Sequence, residues 1–421
     1  MKNFTQAVIL CGGLGTRLRP ITNKVPKPMV MINKKPFLWF LMDKLSSPPN
    51  NIKRFLLLTG YLQEHIIDFF NDGKEFGWDI KYSCGEKSWE TGKRFWEARD
   101  LLDSKFLLCY SDNFAQVVLE NGYKVWRKNN SIITLLLSNK KNGNIKIKNN
   151  ETVEYIKGRK AGYDYVDLGF MLCDKKSLIE EFNLIDNAPD IDFSTLLEKL
   201  SVKNKISGYL LKDEYKSIGD LERLSKTKDY LYPKRIILID RDGVINQKAN
   251  KGKYITSWDK FIFIKDTIRA LKKLSKSGFK FIIISNQAGI ATGDLKQHDL
   301  ENIHEKMIDF LKKNNIEILD IFISYDHWQS NSFRRKPNPG MFFDASKKYN
   351  FRLDKTFYIG DDPRDCLAAE RAACGRILIG ENIKDNEIEV DYKAMKLSEL
   401  TECLLSKFKE YEVQILKKFL I

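Results

Sequence analysis

The sequence lacks long hydrophobic runs and has few histidines and prolines. Of its 421 residues, 4 are His and 11 are Pro. Apolar runs such as Phe55–Leu58 and Phe281–Ile284 have the length of a strand, whereas a membrane-spanning helix needs roughly 20 apolar residues. The opening segment MKNFTQAVIL leads directly into a strand pattern, without the apolar region and small-residue cleavage site of a signal peptide. We therefore expect a cytoplasmic protein with no membrane partner.

The seven cysteines lack the spacing of a metal site or a disulfide framework. They are scattered along the chain, their number is odd, and no two form a CxxC pair. Such a set is typical of reduced thiols in a cytosolic protein. It predicts neither disulfides nor a cysteine-based zinc site.

The net charge is positive but is not concentrated in any segment. The 71 Lys and Arg exceed the 56 Asp and Glu, for a net charge of +15, and no block of five or six like charges occurs. Nucleic-acid binding is typically accompanied by clustered basic residues, so we predict no nucleic-acid partner. The diffuse bias instead favours the approach of anionic substrates. A hydrophobic content of 43% with 12% aromatics argues against disorder.

Strand and helix signals alternate along the chain and restart once. At roughly 150 residues per domain the length allows two or three domains, and the alternation predicts an α/β fold with a mainly parallel sheet. The elements predicted in the first half are Ala7–Leu10, Phe37–Leu45, Phe55–Thr59, Glu64–Phe70, Phe106–Cys109 and Ile132–Leu137. Those predicted in the second half are Ile236–Ile239, Thr267–Lys276, Phe279–Ser285, Leu300–Lys312, Ile318–Ser324, Thr356–Gly360 and Arg376–Gly380.

A polar segment, KTKDYLYPKR at positions 226–235, separates the two halves. We place one domain at residues 1–230, a second at residues 231–385 and a C-terminal helical segment at residues 386–421. In the last segment apolar residues recur at steps of three and four, which makes one helical face. These residues are Leu400, Leu404, Phe408, Tyr411, Ile415 and Phe419. We expect this face to pack on the chain's own core, with a contact in a homo-oligomer as the alternative.

A glycine-rich segment follows the first predicted strand, which ends at Leu10. Glycines there allow a tight turn and a close approach of the backbone to a ligand. The residues whose amides can line a phosphate are Gly12, Gly13, Gly15 and Thr16. Arg17 and Lys27 add fixed positive charge for a triphosphate or an incoming phosphate.

The whole string from Leu10 to Met29, LCGGLGTRLRPITNKVPKPM, resembles the signature of the sugar-1-phosphate nucleotidyltransferases. Within that family it is most similar to the guanylyltransferases for D-glycero-α-D-manno-heptose 1-phosphate. The resemblance extends over roughly residues 1–225 and implies a Rossmann-like, GT-A-like sheet. It also implies that a sugar phosphate attacks the α-phosphorus of an NTP in line and that pyrophosphate leaves. Mg²⁺ is expected, because a metal neutralises charge on the phosphoryl oxygens.

The same resemblance implies roles for individual residues. The nucleotide is expected to contact the strand end and the glycine turn, at Leu10, Gly12, Gly13, Gly15, Thr16 and Arg17. Arg17 is expected to stabilise the α-phosphate and the leaving pyrophosphate, and Lys27 to contact the attacking phosphate. Asp112 is the expected metal ligand.

Several positions depart from the family pattern. Ser111 stands where Gly usually precedes the metal aspartate, and Glu90–Lys93 stands in place of the base-contacting Gly-Thr-Ala-Gly. Ile156 replaces the Glu of a sugar-facing Glu-Lys pair, and Ser217 replaces the second metal aspartate. Asp220, three positions on, is the candidate to supply that carboxylate. These changes leave open the nucleotide, GTP or CTP, and the acceptor, a heptose-like sugar phosphate or a polyol phosphate.

A second set of polar residues belongs to the C-terminal half. Asp240 and Asp242 come directly after the strand Ile236–Ile239, where two carboxylates on one face can act as nucleophile and general acid in phosphoryl transfer. A carboxylate can approach a phosphate only beside a cation, which Mg²⁺ or a lysine can provide. The other members of the set are Ser285, Asn286, Arg335, Lys336, Asp361, Asp362 and Asp365. Open α/β sheets bind ligands at such strand ends.

The motifs DRDGV, SNQAGI and RKPNPGM make this half resemble the haloacid dehalogenase (HAD) phosphatases, in particular the heptose-1,7-bisphosphate and histidinol-phosphatase group. The resemblance covers roughly residues 235–385 and implies a HAD-type Rossmann-like domain. It implies that Asp240 is the nucleophile that forms an aspartyl-phosphate and that Asp242 is the general acid and base. Mg²⁺ is expected at Asp240, the Asp242 carbonyl and Asp361, with Asp362 or Asp365 in support.

The phosphate and substrate contacts are implied in the same way. Ser285 and Asn286 are expected to hold the phosphate or the substrate. Arg335 is expected to contact the substrate, and Lys336 to neutralise charge at the nucleophile.

Many members of this group carry a zinc loop of three Cys and one His before the Arg-Lys-Pro motif. Here Tyr325–Arg334 offers His327 but no cysteine, so we predict no structural zinc and a different substrate loop. The other histidines, His65, His298 and His304, are predicted to be surface residues of helices.

Together, the two resemblances predict a bifunctional, Mg²⁺-dependent enzyme that makes nucleotide-sugar precursors of surface polysaccharides, such as capsule or lipopolysaccharide. One half removes a phosphate from a phosphorylated sugar, and the other transfers a nucleotidyl group to a heptose-like sugar phosphate. Two alternatives stay open. The first is a cytidylyltransferase and phosphatase that makes a CDP-polyol or another CDP-sugar. The second is a phosphatase whose N-terminal half binds nucleotide only as a regulatory module.

Overall fold

The computed structural model describes residues 4–148, 150–185, 190–212, 215–250, 252–380 and 389–416. The chain forms two compact units, one ending at Lys228 and the other beginning at Asp229. Both units alternate strands and helices, so the prediction of an α/β fold is confirmed. None of the helices in the described ranges is long and apolar enough to cross a membrane. All seven cysteines are free thiols.

The first unit begins with a strand and ends in a helix that continues past its boundary. Its strands are β1 (Gln6–Leu10), β2 (Met31–Ile32), β3 (Lys35–Pro36), β4 (Arg54–Thr59), β5 (Asp79–Cys84), β6 (Lys105–Tyr110), β7 (Asn113–Phe114), β8 (Ile133–Asn139), β9 (Ile145–Ile147), β10 (Val153–Tyr155), β11 (Tyr165–Asp174), β12 (Ile206–Leu210) and β13 (Lys216–Ser217). Its helices are α1 (Phe37–Ser46), α2 (Glu64–Phe70), α3 (Thr91–Glu97), α4 (Leu119–Asn129), α5 (Lys175–Asn183), α6 (Phe193–Val202) and α7 (Leu221–Leu231).

The main sheet of the first unit has a parallel centre, β6-β1-β4-β5, which β11 continues antiparallel to β6. Strand β1 is buried along its whole length, as expected for a central strand of a sheet covered on both faces. Its last residue, Leu10, pairs with Leu58 of β4 and Tyr110 of β6. The carboxyl ends of these strands therefore meet at one edge of the sheet, and the loops that leave them lie side by side.

A short two-stranded sheet lies at the same edge. It pairs β7 with β13, so that Asn113 lies opposite Ser217. The backbone amide of Ile218 also donates to the carbonyl oxygen of Asp112 at 3.0 Å. The segment around Ser217, distant in sequence, is thereby held beside the loop that carries Asp112.

The strands described in the second unit form one fully parallel sheet in the order β16-β15-β14-β17-β18-β19. Its strands are β14 (Ile236–Ile239), β15 (Lys280–Asn286), β16 (Ile318–Ser324), β17 (Phe357–Gly360), β18 (Gly375–Ile379) and β19 (Tyr392–Ala394). Its helices are α8 (Lys265–Lys276), α9 (Gly289–Thr292), α10 (Gln297–Lys313), α11 (Gly340–Tyr349), α12 (Pro363–Arg371) and α13 (Thr401–Leu416).

Two hydrophobic cores cover the two faces of this parallel sheet. Ile237 and Ile239 face one core, whereas Ile236 and Leu238 face the other, because side chains alternate along a strand. The first core is filled by residues of α8, α10 and α13, and the second by residues of α11 and α12. A central strand that is apolar on both faces explains why Ile236–Ile239 is an uninterrupted hydrophobic run.

The C-terminal helix α13 packs on the first of these cores. Leu404 and Phe408 are buried there, and the Phe408 ring makes an edge contact with Phe279 at 4.7 Å between centroids. Ile415 is buried as well, and Tyr411 is half-buried. The predicted apolar face thus packs on the chain's own core at Leu400, Leu404 and Phe408, and Phe419 lies outside the described residues.

Candidate active sites

The glycine turn of the first unit begins directly after β1. Gly15 adopts a left-handed backbone conformation with φ 62°. A Cβ atom there would lie 2.9 Å from Cβ of Lys27, and the Gly15 carbonyl accepts a hydrogen bond of 2.9 Å from the Thr22 hydroxyl. Glycine is therefore required for both the turn and the close packing. Thr16 and Arg17 follow on an exposed turn.

Lys27 and Asp112 form an ion pair at the edge where β1 and β6 end. Nζ of Lys27 lies 2.6 Å from Oδ2 of Asp112, and both side chains are largely shielded from solvent. Ser111, where the family pattern has Gly, donates its hydroxyl to the Leu10 carbonyl at 2.6 Å. The serine thus ties the end of β1 to the end of β6 and fixes the loop that presents Asp112.

Asp220 lies at the start of α7. Its carboxylate accepts a hydrogen bond of 2.9 Å from the backbone amide of Arg223 and lies 3.3 Å from the Arg223 guanidinium. Of the two candidate positions for a second metal ligand, Ser217 is the one that the short sheet holds beside the Asp112 loop. The Asp220 carboxylate is engaged at the helix start instead.

The sequence analysis missed Arg94, which is buried beneath the glycine turn. Its guanidinium donates to the carbonyl oxygens of Thr59 and Glu86 at 2.6 and 2.5 Å. A Cβ atom on Gly12 or Gly60 would lie within 2.4 Å of the guanidinium group. Burial lowers the pKa of Arg94. The Arg94 guanidinium is therefore packed against Gly12 and Gly60, in the loops that follow β1 and β4.

Asp167 of β11 is a second residue that the sequence analysis missed. It is half-buried in a largely apolar strand, and its carboxylate accepts a hydrogen bond of 2.7 Å from the amide of Gly169. Burial raises the pKa of Asp167 to about 7, and the charge of Asp112 contributes in the same direction. An acidic residue inside the run YVDLGFMLCD is the signal in the sequence that could have identified it.

The candidate nucleophile of the second unit lies in a buried charge cluster. Asp240 follows β14, and its Oδ2 atom lies 3.0 Å from Nζ of Lys336. The same Nζ atom lies 2.7 Å from Oδ1 of Asp365 and donates to the Tyr358 hydroxyl at 2.6 Å. Burial raises the pKa of Asp240 to about 8, against the opposing effect of Lys336. Although burial lowers the pKa of Lys336, the two carboxylates raise it above its ordinary value.

Three carboxylates of this cluster could hold a metal ion. One oxygen each of Asp240, Asp361 and Asp365 lies within 4.8 Å of the others. Gly243 borders the cluster with φ 88°, and a Cβ atom there would lie 2.0 Å from Oδ2 of Asp361. Carboxylate oxygens are the ligands that Mg²⁺ prefers, so this donor set fits the ion that the sequence predicts.

Two neighbours of the cluster have other partners. Nζ of Lys248 lies 2.5 Å from Oδ2 of Asp361. Asp362, a candidate metal ligand, caps α12 and binds the Arg364 guanidinium at 2.9 Å. Burial tends to raise the pKa of Asp362, but the hydrogen bonds from Arg364 lower it to about 2. In the described residues, Asp365 rather than Asp362 completes the carboxylate group.

Asp242, the candidate general acid, is held by side chains on several elements. The Arg241 guanidinium binds its carboxylate at 2.8 Å, and the amides of Asn246 and Gln287 donate to it at 2.9 and 2.8 Å. Arg241 also contacts Nε2 of His304 at 2.9 Å. The expectation that His304 is a surface residue was wrong, because only 8% of its surface is exposed. Burial, together with the Arg241 charge, lowers the pKa of His304 to about 3.

Ser285 and Asn286 lie at the end of β15, beside β14. The Asn286 side chain donates to the Lys336 carbonyl at 3.0 Å and accepts from the Lys336 amide at 3.1 Å. It therefore fixes the backbone that carries Lys336. The Ser285 hydroxyl accepts from the Gln287 side chain at 2.9 Å.

A cavity of about 320 Å³ opens onto these residues. Its lining includes Asp240, Asp242, Ser285, Asn286 and Lys336. Four further cationic side chains line it, namely Lys248, Lys253, Arg335 and Arg364. Two aromatic residues, Tyr254 and Trp328, complete the wall. Trp328 belongs to the loop without cysteines, where the His327 ring lies against it at 3.8 Å between centroids.

Comparison with known proteins supports two enzyme families on one chain. The family described as "Nucleotidyl transferase" matches residues 6–158, and the family described as "Polynucleotide kinase 3 phosphatase" matches residues 235–393. The D-glycero-α-D-manno-heptose-1,7-bisphosphate 7-phosphatase of Photorhabdus laumondii is 33% identical over 153 residues, which cover 34% of this chain and 81% of that protein. The chain belongs to this phosphatase family.

Two bifunctional relatives match smaller shares of their own length. The histidine biosynthesis bifunctional protein HisB of Campylobacter jejuni is 36% identical over 147 residues, 35% of this chain. The bifunctional protein GlmU of Methanococcus maripaludis is 30% identical over 232 residues, 51% of this chain. The chain spans 42% of the length of that HisB and 51% of that GlmU. A nucleotidyltransferase region and a HAD-type phosphatase region thus occur on one chain, as the sequence predicts.

Proposed function

We propose that the phosphatase unit removes a phosphate from a phosphorylated sugar and that the nucleotidyltransferase unit then activates the sugar 1-phosphate with an NTP. The observation that carries the proposal is the presence of two separate charge arrangements, Lys27 with Asp112 and Lys336 with Asp240. Each suits phosphoryl chemistry, because each places a lysine beside a carboxylate at the carboxyl ends of parallel strands. We place the reactions in the cytoplasm, on the route to a surface polysaccharide.

In the phosphatase unit, Asp240 attacks the phosphorus atom of the substrate. The bond from phosphorus to the leaving oxygen breaks, Asp242 gives its proton to that oxygen, and an aspartyl-phosphate forms. Asp242 then takes a proton from water, which attacks phosphorus and releases inorganic phosphate and free Asp240. Lys336, at 3.0 Å, offsets the negative charge that gathers around the Asp240 carboxylate.

Mg²⁺ would be held by Asp240, Asp361 and Asp365, with the Asp242 carbonyl. When bound it supplies positive charge to the phosphoryl oxygens. Gly243 supports this assignment, because any larger residue would press against Asp361.

The cavity favours an anionic sugar as the phosphatase substrate. Lys253 and Arg335 also line the cavity, neither belongs to the buried charge cluster, and both can bind a second phosphate. Trp328 and Tyr254 can cover the face of a sugar ring. D-glycero-D-manno-heptose 1,7-bisphosphate has both features, whereas histidinol phosphate would place an ammonium group among these cations. The first is therefore the substrate that we propose.

In the nucleotidyltransferase unit, the glycine turn would bind the NTP through the backbone of Leu10, Gly12, Gly13, Gly15 and Thr16. Lys27 would hold the attacking phosphate, and Arg17 would offset charge on the leaving pyrophosphate. A phosphate oxygen of the sugar forms a bond to the α-phosphorus as the bond to pyrophosphate breaks. Asp112, together with the phosphates, suits Mg²⁺, which commonly takes one or two carboxylates. GTP is the proposed nucleotide, and CTP with a polyol phosphate is the alternative.

A different function for the first unit is favoured by one observation. Ser217 stands beside the Asp112 loop, and the Asp220 carboxylate is engaged by Arg223. If one carboxylate cannot support catalysis, the unit binds nucleotide as a regulatory module of the phosphatase.

Mass spectrometry of the products separates these functions. The protein is incubated with Mg²⁺, all four NTPs and a panel of sugar and polyol mono- and bisphosphates. A GDP-heptose product supports the proposed function, and a CDP-polyol supports the alternative substrates. Dephosphorylation without any nucleotide-sugar across the panel supports the regulatory module.

A further inference from the structure

Arg241 stands between the two candidate catalytic aspartates and is completely buried, with 0% of its surface exposed. Its Nη2 atom lies 2.8 and 3.0 Å from the two carboxylate oxygens of Asp242, and its Nε atom lies 3.2 Å from one of them. A buried guanidinium is costly unless its donors are satisfied. Asp242 accepts hydrogen bonds from Nε and Nη2 of Arg241, so the Nη1 atom needs another acceptor.

His304 of α10 provides that acceptor. The Nη1 atom of Arg241 lies 2.9 Å from Nε2 of His304. Because a guanidinium can only donate hydrogen bonds, Nε2 must carry the lone pair and the imidazole must be neutral with its proton on Nδ1. His304 thus fixes the plane of the Arg241 guanidinium from the helix side.

The Asp242 carboxylate receives two further donors, from Asn246 at 2.9 Å and Gln287 at 2.8 Å. Both carboxylate oxygens of Asp242 thus accept hydrogen bonds, and 26% of its side chain stays exposed. Asp242 and Asp240 line the same cavity. A general acid works only when its proton lies within hydrogen-bond reach of the leaving oxygen. These hydrogen bonds therefore set the position of the Asp242 carboxyl group relative to the leaving oxygen.

We propose that Arg241 and His304 are positioning residues of the phosphatase. His304 holds the Arg241 guanidinium, and Arg241 holds the Asp242 carboxylate where it protonates the leaving oxygen. This inference rests on the proposed phosphatase function. It adds a buried series of hydrogen bonds that connects Asp242 at the cavity, through Arg241, to His304 on α10.

The test compares two substrates that differ in their need for a proton. Heptose 1,7-bisphosphate has an alkoxide leaving group that must be protonated, whereas 4-nitrophenyl phosphate releases a weakly basic phenolate that needs no proton. In the full-length protein, His304→Leu should lower kcat/KM for the bisphosphate by about 100-fold, within the range that general acid catalysis contributes. It should change kcat/KM for 4-nitrophenyl phosphate by less than about threefold, because kcat/KM reports the steps up to the phospho-enzyme and not the later hydrolysis in which Asp242 acts as a base.

Three variants accompany this one. His304→Gln keeps a neutral acceptor and should restore most of the bisphosphate activity. His298→Gln, on the same helix but with a side chain that is 90% exposed, should behave as the wild type. Arg241→Lys keeps the charge, loses the paired contacts and should repeat the selective loss even if His304→Leu does not fold.

Equal losses of kcat/KM for the two substrates in the folded His304 and Arg241 variants would overturn the positioning role and leave a structural one. Wild-type protein that hydrolyses neither ester would instead contradict the proposed phosphatase function. The two failures are therefore distinguishable.

Discussion

The Nζ atom of Lys336 lies 3.0 Å from Oδ2 of Asp240, although the two residues are almost a hundred positions apart in the sequence. Asp365, at 2.7 Å from the same nitrogen, holds the lysine from its other side. The ammonium therefore cannot turn away from the nucleophile without losing a second buried partner. The phosphatase reaction therefore depends on residues from two loops and from the first turn of α12.

Asp240→Asn should abolish phosphate release, by at least about 1000-fold, because an amide cannot form the phospho-enzyme. Pyrophosphate release from NTP and a sugar 1-phosphate should persist, since it uses the other unit. Malachite green and coupled pyrophosphate assays measure the two products. Asp344→Asn, on the exposed side of α11, is the matched control. Loss of both activities in a folded Asp240→Asn protein would refute the independence of the two sites.

Arg17→Ala and Asp112→Ala should have the opposite effect. Arg17 is exposed on the glycine turn and Asp112 pairs with Lys27, so neither contributes to the phosphatase cavity. Pyrophosphate formation should fall by about 100-fold or more, as for other residues that stabilise transferred phosphoryl groups. Phosphate release should remain at the wild-type rate. A normal rate of pyrophosphate formation in both variants would show that the transferase site does not lie at the edge where β1 and β6 end.

Gly243→Ala should eliminate phosphatase activity by displacing Asp361. The added Cβ atom would lie 2.0 Å from the Asp361 carboxylate, in addition to the strain of a side chain at φ 88°. Gly293→Ala is the matched control, because Gly293 has φ 79° and nothing within 4 Å of the added atom. Both variants should lose about 1 kcal/mol from backbone strain, measured by urea unfolding. Only Gly243→Ala should lose phosphate release. Equal activity in the two variants would show that close packing of Gly243 against Asp361 is not needed for the reaction.

The buried His304 should make the protein less stable as the pH falls. Its pKa is lowered to about 3 by burial and by Arg241, whereas an unfolded histidine has a pKa of about 6.5. The unfolded chain therefore binds the extra proton below about pH 6.5, so the stabilising contribution present above that pH is lost as the pH falls. Between pH 7.5 and 5 the wild type should lose about 2 kcal/mol relative to His304→Gln. Urea unfolding at both pH values measures this, and a constant difference between the two proteins would contradict it.

Much of the fold could be predicted because the signals are local. Ile236–Ile239 is a continuous apolar run, and the strand has the predicted bounds. Polar residues that follow parallel strands were expected to meet, since such ends share one edge, and Asp240 and Asp361 do so. Gly15 likewise has the positive φ that its place in the turn suggests.

The misplacement of His304 had a physical cause. On α10 the buried residues recur at Leu300, Ile303, Met307 and Leu311, so position 304 lies on the same helical face. The polarity of histidine suggested a surface position, whereas the helical period indicated burial. Here the period was the better guide, because Arg241 supplies a polar partner inside the core.

Arg94 could not be found from local sequence. Its burial depends on glycines that belong to separate loops, Gly12, Gly60 and Gly85, which approach one another only in the assembled sheet. Asp220 remains a candidate metal ligand, and its hydrogen bond from the Arg223 amide at the start of α7 could not be read from its spacing to Ser217. Contacts of this kind depend on the tertiary structure.

The proposed function requires that two sites on one chain act in sequence. The most direct test follows inorganic phosphate and pyrophosphate in one reaction, with heptose 1,7-bisphosphate as the sole sugar, GTP and Mg²⁺. Phosphate should appear first, pyrophosphate should follow it mole for mole, and GDP-heptose should accumulate. Phosphate release without pyrophosphate, or a GDP-sugar that still carries the second phosphate, would contradict the proposed function.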